Sequence, residues 1–379
     1  MNTNIKLKSG KEDSSSRKHP WIFSGALAQR PNLKEGTLVR VESNNGQFIA
    51  WGYWGNASIA VRVLSWEDIK PNSTWWENSI ANALNYRKAL GFTSETDSDC
   101  FRLIHGEGDG IPGLVVDYYN GIVVVQFHNE GIEQFQSEID NALKVVLGNS
   151  LKQIVHRNTK NKNEGNLVDI IQEYGVKYEI DFLQGQKTGF FLDQRLNRLL
   201  LRKYVKDKKV LNTFCYTGGF SFAALKGGAK HVVSVDSSDF ALKLLERNLE
   251  LNDFDKSKHE SVLADAVQYM RSVGNDFDVI VLDPPAFAKS LKARHNAIQA
   301  YKRINVAAMK AIKPGGYLFT FSCSQVVDYA LFTKTIYSAA IEAGRSIRIV
   351  HRLEQSPDHP ASIFHPEGEY LKGMVLYID

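Results

Sequence analysis

Cysteine is scarce in this chain. Cys100, Cys215 and Cys323 are the three in 379 residues, and their spacing makes neither a disulfide framework nor a zinc site. Such thiol usage fits a reducing compartment. No apolar run approaches the ~20 residues that a membrane-spanning helix needs. The stretch from Met1 to His19 is polar and lacks the apolar segment of a secretion signal. No repeat of fixed period is present. A strong charge imbalance is missing too: 46 Lys and Arg against 42 Asp and Glu leave a net charge of +4. That mild basicity is compatible with a nucleic-acid partner without establishing one. What remains is a soluble, cytoplasmic enzyme or binding protein without a membrane partner. Its 43% hydrophobic content supplies a packed core, and its length allows two or three domains.

Residues 1–70 read as a small β domain. Thr37–Val41 and Gln47–Trp51 alternate as strands around the turn residues Asn44-Asn-Gly46, and Ile59–Leu64 makes a third. Near the start, Arg17, Lys18 and Trp21 place bases beside an aromatic, a pattern suited to phosphate contact and base stacking but also to a core tryptophan with solvated flanks. Residues 71–175 read as an α+β segment. A helix starts at Pro71-Asn-Ser73 and stops at Gly91, strands flank the turn His105–Gly110, and a second helix covers Ile132–Leu147. Glu107 and Asp109 in that turn fall short of a calcium loop, so the turn reads as backbone geometry. The polar run Arg157–Asn166 is basic enough to touch RNA. Residues 176–379 alternate strand and helix, which predicts an α/β, doubly wound sheet with parallel strands.

Within this last part, Lys209–Phe220 runs from an apolar strand into a Gly218-Gly219 turn and a helix. Glycines there let the backbone approach a ligand. The pattern is not G-x-G-x-x-G, which disfavours a nicotinamide cofactor. Asp236 ends the next strand, 17 residues after Gly219, where it can accept hydrogen bonds from both hydroxyls of an adenosine ribose. Asp265 ends a third strand, Ser261–Ala266, and is placed for an adenine amino group. Asp283 ends a fourth. Three acids at successive strand ends favour S-adenosylmethionine.

Cys323 follows a late strand in Ser322-Cys-Ser324, and Asp283 precedes Pro284 and Pro285. A thiol and a carboxylate at two strand ends of one sheet are what methylation of a pyrimidine carbon needs. The bland reading of Cys323 is a small buried apolar residue. Cys215, in the cofactor turn, packs or lines the pocket, and Cys100 has no supporting context. Phe287 can stack on a target base or pack in the core. His359 and His365 lie in a Pro-rich segment that reads as a loop closing over the site, since two histidines alone are a weak metal signal and no metal is expected.

Thr188–Arg195, Asn212–Phe220, Asp283-Pro-Pro285, Ser322-Cys-Ser324, and Asp358-His-Pro360 with Pro366–Gly373 together resemble the bacterial large-subunit ribosomal RNA cytosine-5 methyltransferases that carry a PUA domain. The resemblance covers nearly the whole chain. It implies a small β-barrel-like PUA domain, a small α+β middle domain and a Rossmann-like class I methyltransferase domain. By this resemblance S-adenosylmethionine is held by Gln194, Arg195, Asn212, Phe214, Tyr216, Thr217, Gly218, Gly219, Asp236, Ser237, Asp265, Ala266, Asp283 and Pro284. Cys323 and Asp283 are catalytic. RNA meets Arg17, Lys18, Trp21, Phe287, Lys289 and His359. The substrate is large-subunit ribosomal RNA, naked or partly assembled, and the resemblance leaves room for a homodimer. Some RNA cytosine-5 enzymes carry a second cysteine directly after the two prolines; here that position is Ala286. A base-nitrogen methyltransferase and a non-catalytic RNA-binding assembly factor are the alternative readings.

Overall fold

In this computed structural model, residues 3–12, 17–93, 97–157, 167–183 and 185–379 are described. All of the polar run 157–166 except Arg157 therefore lies outside the described residues. The chain forms two compact units. The first comprises Met1–Ile171, Ile180–Leu192 and Pro357–Gly368, and the second Gln172–Glu179, Asp193–Ser356 and Glu369–Asp379.

The first unit opens with a five-stranded sheet of β1 (Asn4–Lys6), β2 (Trp21–Phe23), β3 (Leu38–Glu42), β4 (Phe48–Trp54) and β5 (Ile59–Ser65), in the order β1-β3-β4-β5-β2. The edges meet just past β1 and β2, where Leu7 bridges Leu27 and Lys8 N donates to Ala26 O at 2.9 Å. The sheet thus curls on itself, and Ile5, Leu7, Val39, Val41, Trp54 and Val61 fill its interior. Curling removes exposed edges, a standing hazard for short strands.

A four-stranded sheet follows: β6 (Cys100–His105), β7 (Leu114–Tyr119), β8 (Ile122–Phe127) and β9 (Gln153–Arg157). Asn120 and Gly121, both with positive φ, make the tight turn between β7 and β8. The helix Ser73–Ala89 starts where Asn72 accepts a hydrogen bond from Trp75 N, as the Pro-Asn-Ser signal predicts. The expected helix Ile132–Leu147 is instead two, Glu130–Glu133 and Gln136–Leu147. Phe135 leaves helical geometry between them and packs near Trp76 and Tyr53, so core packing overrides local periodicity. Asp109 also does more than shape a turn. It pairs with the fully buried Arg87 of the first helix and accepts from His105 N.

A hairpin of β10 (Val168–Glu173) and β11 (Val176–Asp181) precedes the second unit's main sheet. That sheet has seven strands: β12 (Lys209–Thr213), β13 (His231–Asp236), β14 (His259–Leu263), β15 (Phe277–Leu282), β16 (Ile312–Ser322), β17 (Ile347–Glu354) and β18 (Lys372–Ile378). Their order is β14-β13-β12-β15-β16-β18-β17, parallel except for β18, which runs against both its neighbours. The inner strands read as unbroken apolar runs because helices cover both faces. This is a Rossmann-like α/β sheet, the class predicted from the alternating pattern; the closing antiparallel strand was not anticipated. The order reverses between β12 and β15, and a crevice at that reversal is where open α/β sheets bind ligands.

Candidate active site

The loop leaving β12 carries unusual backbone. Phe214 and Tyr216 take φ of +54° and +48°, and Gly218 takes +89°. Left-handed conformation costs a non-glycine residue roughly 1–3 kcal/mol and clusters where a ligand is held. Gly218 is needed twice over, because a Cβ there would also lie 2.7 Å from Phe222 and 2.9 Å from Leu245. The next residue begins the helix Gly219–Lys226, and Thr217 is buried beneath the turn.

Asp236 ends β13 beside this loop. Its Oδ2 accepts from Tyr216 N and its Oδ1 from Ser238 N, each at 2.9 Å. Two backbone amides thus aim the carboxylate and couple it to the strained turn. Ser237 is exposed, and Ser238, not Ser237, caps the helix Asp239–Leu251. The second acid, Asp265, differs in setting from the sequence expectation. The strand stops at Leu263, and Asp265 lies beyond it as the N-cap of the helix Ala266–Ser272, accepting from Gln268 N at 2.9 Å. Asn212 is buried and donates to Ser221 Oγ at 2.8 Å, the start of a chain that continues through Ser234 Oγ to His259 Nε2. Burial pushes the His259 imidazole down to about 4.

Gln194 Nε2 donates to Asp283 Oδ1 at 3.0 Å, and Gln194 Oε1 accepts from Asn197 Nδ2 at 2.6 Å. Arg195 is fully buried, its guanidinium carbon 5.3 Å from the Tyr174 ring centre. Asp283 is half-buried and Pro284 buried. Cys323 Sγ lies 3.8 Å from Pro284 O, so the thiol from the end of β16 and the backbone next to the Asp283 carboxylate stand together.

Ser324 sets that juxtaposition. Its buried Oγ accepts from Ala288 N at 3.3 Å and shares a 2.9 Å hydrogen bond with Tyr301 OH, tying the loop after β15 to the loop after β16. Phe287 is half-buried with its ring 4.7 Å from that of Tyr301, and Lys289 is exposed. Sequence reasoning gave no role to Tyr301 or Lys372 here; Tyr301 carries no local signal beyond its place in a helix, and Lys372 entered only as part of the Pro366–Gly373 run of the resemblance. Cys215 is no rival nucleophile, since burial and then the Asp236 carboxylate push its thiol well up. Cys100 is buried.

The remaining candidates belong to the first unit. Arg17 and Lys18 are exposed. Trp21 is partly exposed, and its Nε1 donates to Glu107 Oε1 at 2.8 Å. His359 is buried, with Nδ1 2.9 Å from Asp358 Oδ1 and its ring 5.1 Å from that of His105. His365 packs edge-on to Trp21 at 4.5 Å.

Residues 159–369 match the S-adenosylmethionine-dependent methyltransferase family, and residues 5–66 match the PUA-like domain. The chain belongs to the S-adenosylmethionine-dependent methyltransferases. Its relatives include proteins named ribosomal RNA large subunit methyltransferase I. The one from Vibrio vulnificus (strain YJ016) is 40% identical over 402 residues, covering all of both chains. The one from Salmonella arizonae is 37% identical, covering 98% of this chain and 96% of its own. Among solved structures, a SAM-dependent methyltransferase from Streptococcus mutans superposes over the full length of both chains with a TM-score of 0.84 at 23% identity. A methyltransferase complexed with SAH gives 0.85, also at 23% identity over both full chains. These two share the fold, a PUA-like domain followed by a Rossmann-like one.

The cofactor of this family is S-adenosylmethionine, and the residues at the β12–β15 reversal fit it. An amide-aimed carboxylate at the end of β13 suits paired ribose hydroxyls. Carboxylates beyond β14 and β15 suit an amino group and a cationic centre, and the turn at Phe214–Gly218 brings backbone, not bulk, to the ligand. Among the described residues, no helix is long and apolar enough to cross a membrane.

Proposed function

We propose that this methyltransferase modifies carbon 5 of a cytosine in large-subunit ribosomal RNA through a covalent Cys323 adduct. The observation that carries the reading is the approach of Cys323 Sγ to Pro284 O, the backbone of the residue directly after Asp283. A base-nitrogen methyltransferase has no need of a thiol at that place. The RNA class follows the names of the full-length relatives.

Carbon 5 of cytosine is a poor nucleophile. Addition of the Cys323 thiolate to carbon 6 forms a C–S bond and sends the electrons of the 5,6 double bond toward ring nitrogen 3. Asp283 holds a proton at that nitrogen, so charge does not build up and carbon 5 becomes enamine-like. Gln194, through its hydrogen bond, fixes the Asp283 carboxyl for this task. When bound, S-adenosylmethionine supplies an electrophilic methyl group, and in this reading Asp236, Asp265 and the Phe214–Gly219 turn hold it. Once carbon 5 has bonded to the methyl group, removal of the carbon 5 proton by a base restores the double bond and expels Cys323 as thiolate, and the proton at ring nitrogen 3 returns to Asp283. Ser324 and Tyr301 keep the two loops in register throughout.

The target base reaches such a site only from a loop or by leaving its stack. Phe287 offers a partly exposed ring, Lys289 an exposed charge, and the PUA-like domain with Arg17, Lys18 and Trp21 a separate RNA-binding surface.

The test is transfer of labelled methyl from S-adenosylmethionine to unmodified large-subunit ribosomal RNA, followed by nucleoside analysis. The expected product is 5-methylcytidine, absent with Cys323→Ala while cofactor affinity stays near normal. A methylated guanosine or adenosine, or wild-type rate in Cys323→Ala, overturns the reading.

A further inference from the structure

We propose that Lys372 is the positioning residue that holds Cys323 as a reactive thiolate; this rests on Cys323 being the nucleophile. The sheet supplies the placement. β18 runs antiparallel beside β16 with Lys372 opposite Ser322, so the lysine enters the sheet where β16 hands over to Cys323. Its side chain is only 6% exposed. Nζ donates to Ser324 O at 2.8 Å and to Tyr370 O at 2.6 Å. An ammonium is thus pinned to the carbonyl of the residue directly after Cys323, and its charge acts on the thiol.

Burying a lysine is costly, and a methionine would continue the apolar strand at far lower desolvation cost. The rest of β18, Gly373 to Ile378, is uncharged, so strand packing gives no reason for a cation at its first position. The charge balance around the sulfur gives one. The loop after β15 brings Pro284 O, one residue on from Asp283, to 3.8 Å from the thiol. Tyr301 faces it from the helix Arg294–Ala311, its phenol pushed up by burial and so neutral. Asp328, the cap of the helix Tyr329–Ala343, acts on Lys372 from a third side. Lys372 is the cation among these named groups, and a cation beside a half-buried thiol favours the thiolate over the protonated form. Burial lowers Lys372 to about 8, while Cys323 and then Asp328 draw it back up. The ammonium therefore persists at neutral pH and is lost as pH rises through about 8.

The experiment is the pH profile of Cys323 alkylation by iodoacetamide on the full-length protein, read by peptide mass. Cys323 is half-exposed whereas Cys100 and Cys215 are buried, so the label reports the intended thiol. In wild type the midpoint is expected about one unit or more below the ordinary thiol value of about 8.5. Lys372→Met raises it by about one unit, a roughly tenfold slower labelling at pH 7, and Lys372→Arg restores it. A wild-type midpoint at or above the ordinary value overturns the proposal even if the variants fail to fold, and so does an unmoved midpoint in folded Lys372→Met. If the midpoint moves but Cys323→Ala still methylates RNA, the lysine–thiol coupling stands and the assignment of the nucleophile fails. If Cys323 is required but the midpoint does not move, the nucleophile stands and the role of Lys372 fails.

Discussion

Gln194 Nε2 donates to Asp283 Oδ1 across 3.0 Å, joining residues 89 positions apart. Gln194 is itself held by Asn197, whose Nδ2 also donates to Glu354 O, so the glutamine amide cannot turn freely. A neutral donor on Oδ1 fixes the direction of the Asp283 carboxyl group. A hydrogen bond to a charged group contributes about 1.5–3 kcal/mol. Gln194→Leu, of similar size, should therefore slow single-turnover methyl transfer by one to two orders of magnitude, with a smaller change in cofactor affinity. A rate within twofold of wild type would remove Gln194 from the catalytic arrangement.

Asp236 joins two things that usually separate: its contacts with two backbone amides hold the turn, and in the proposed function it receives the cofactor ribose. Asp236→Ala should weaken S-adenosylmethionine binding at least tenfold by calorimetry, since both the ligand contact and the aim of the Tyr216 and Ser238 amides are lost. Unchanged affinity would place the cofactor elsewhere in the sheet.

Much of this arrangement is legible in sequence, and the reason is physical. β13 can be read at its observed bounds, His231–Asp236, because a buried parallel strand is a continuous apolar run that stops at its first acid. The helix after it is marked in sequence by Ser237 or Ser238, of which Ser238 proves to be the cap, and by Leu242, Leu245 and Leu249 on one face. Cys323 and Asp283 are visible because each terminates such a run. What is illegible depends on distant partners. Nothing near Gln194 announces Asp283, and nothing near Lys372 announces Ser324. Phe135 breaks a helix that periodicity predicts because Trp76 and Tyr53 lie close to it in space. Asp265 reads as a strand end, yet it caps a helix two residues past β14, since an acid followed by a helix former satisfies both patterns.

His259 predicts an acid sensitivity. Its folded value, about 4 against an ordinary 6.5, means that the folded chain holds it neutral beneath Ser234 while the unfolded chain protonates it. The unfolded state binds more protons between these values, so stability is fully present above about 6.5 and is lost as pH falls toward 4. Glu246 opposes this shift and His231 assists it. The loss attributable to this one group is of the order of 3 kcal/mol at most. Urea unfolding of wild type and His259→Gln at pH 7, 5.5 and 4.5 separates it from the titrating carboxylates. The difference between the two proteins should shrink steadily with acid, and a constant difference would mean that His259 does not titrate in this range.

In the first unit, the ion pair of Arg87 with Asp109 should behave as a buried charge pair does. Arg87 is fully buried and also donates to Arg102 O at 2.8 Å and Asp358 O at 2.6 Å, so its guanidinium has no route to water when its partner goes. Asp109→Ala should cost about 3–5 kcal/mol in chemical denaturation, because a charge is left without its counter-ion. Arg87→Met combined with Asp109→Ala should cost distinctly less, since both charges leave together. If the double variant is no more stable than Asp109→Ala alone, the loss arises from the Asp109 contact with His105 N and not from the stranded arginine.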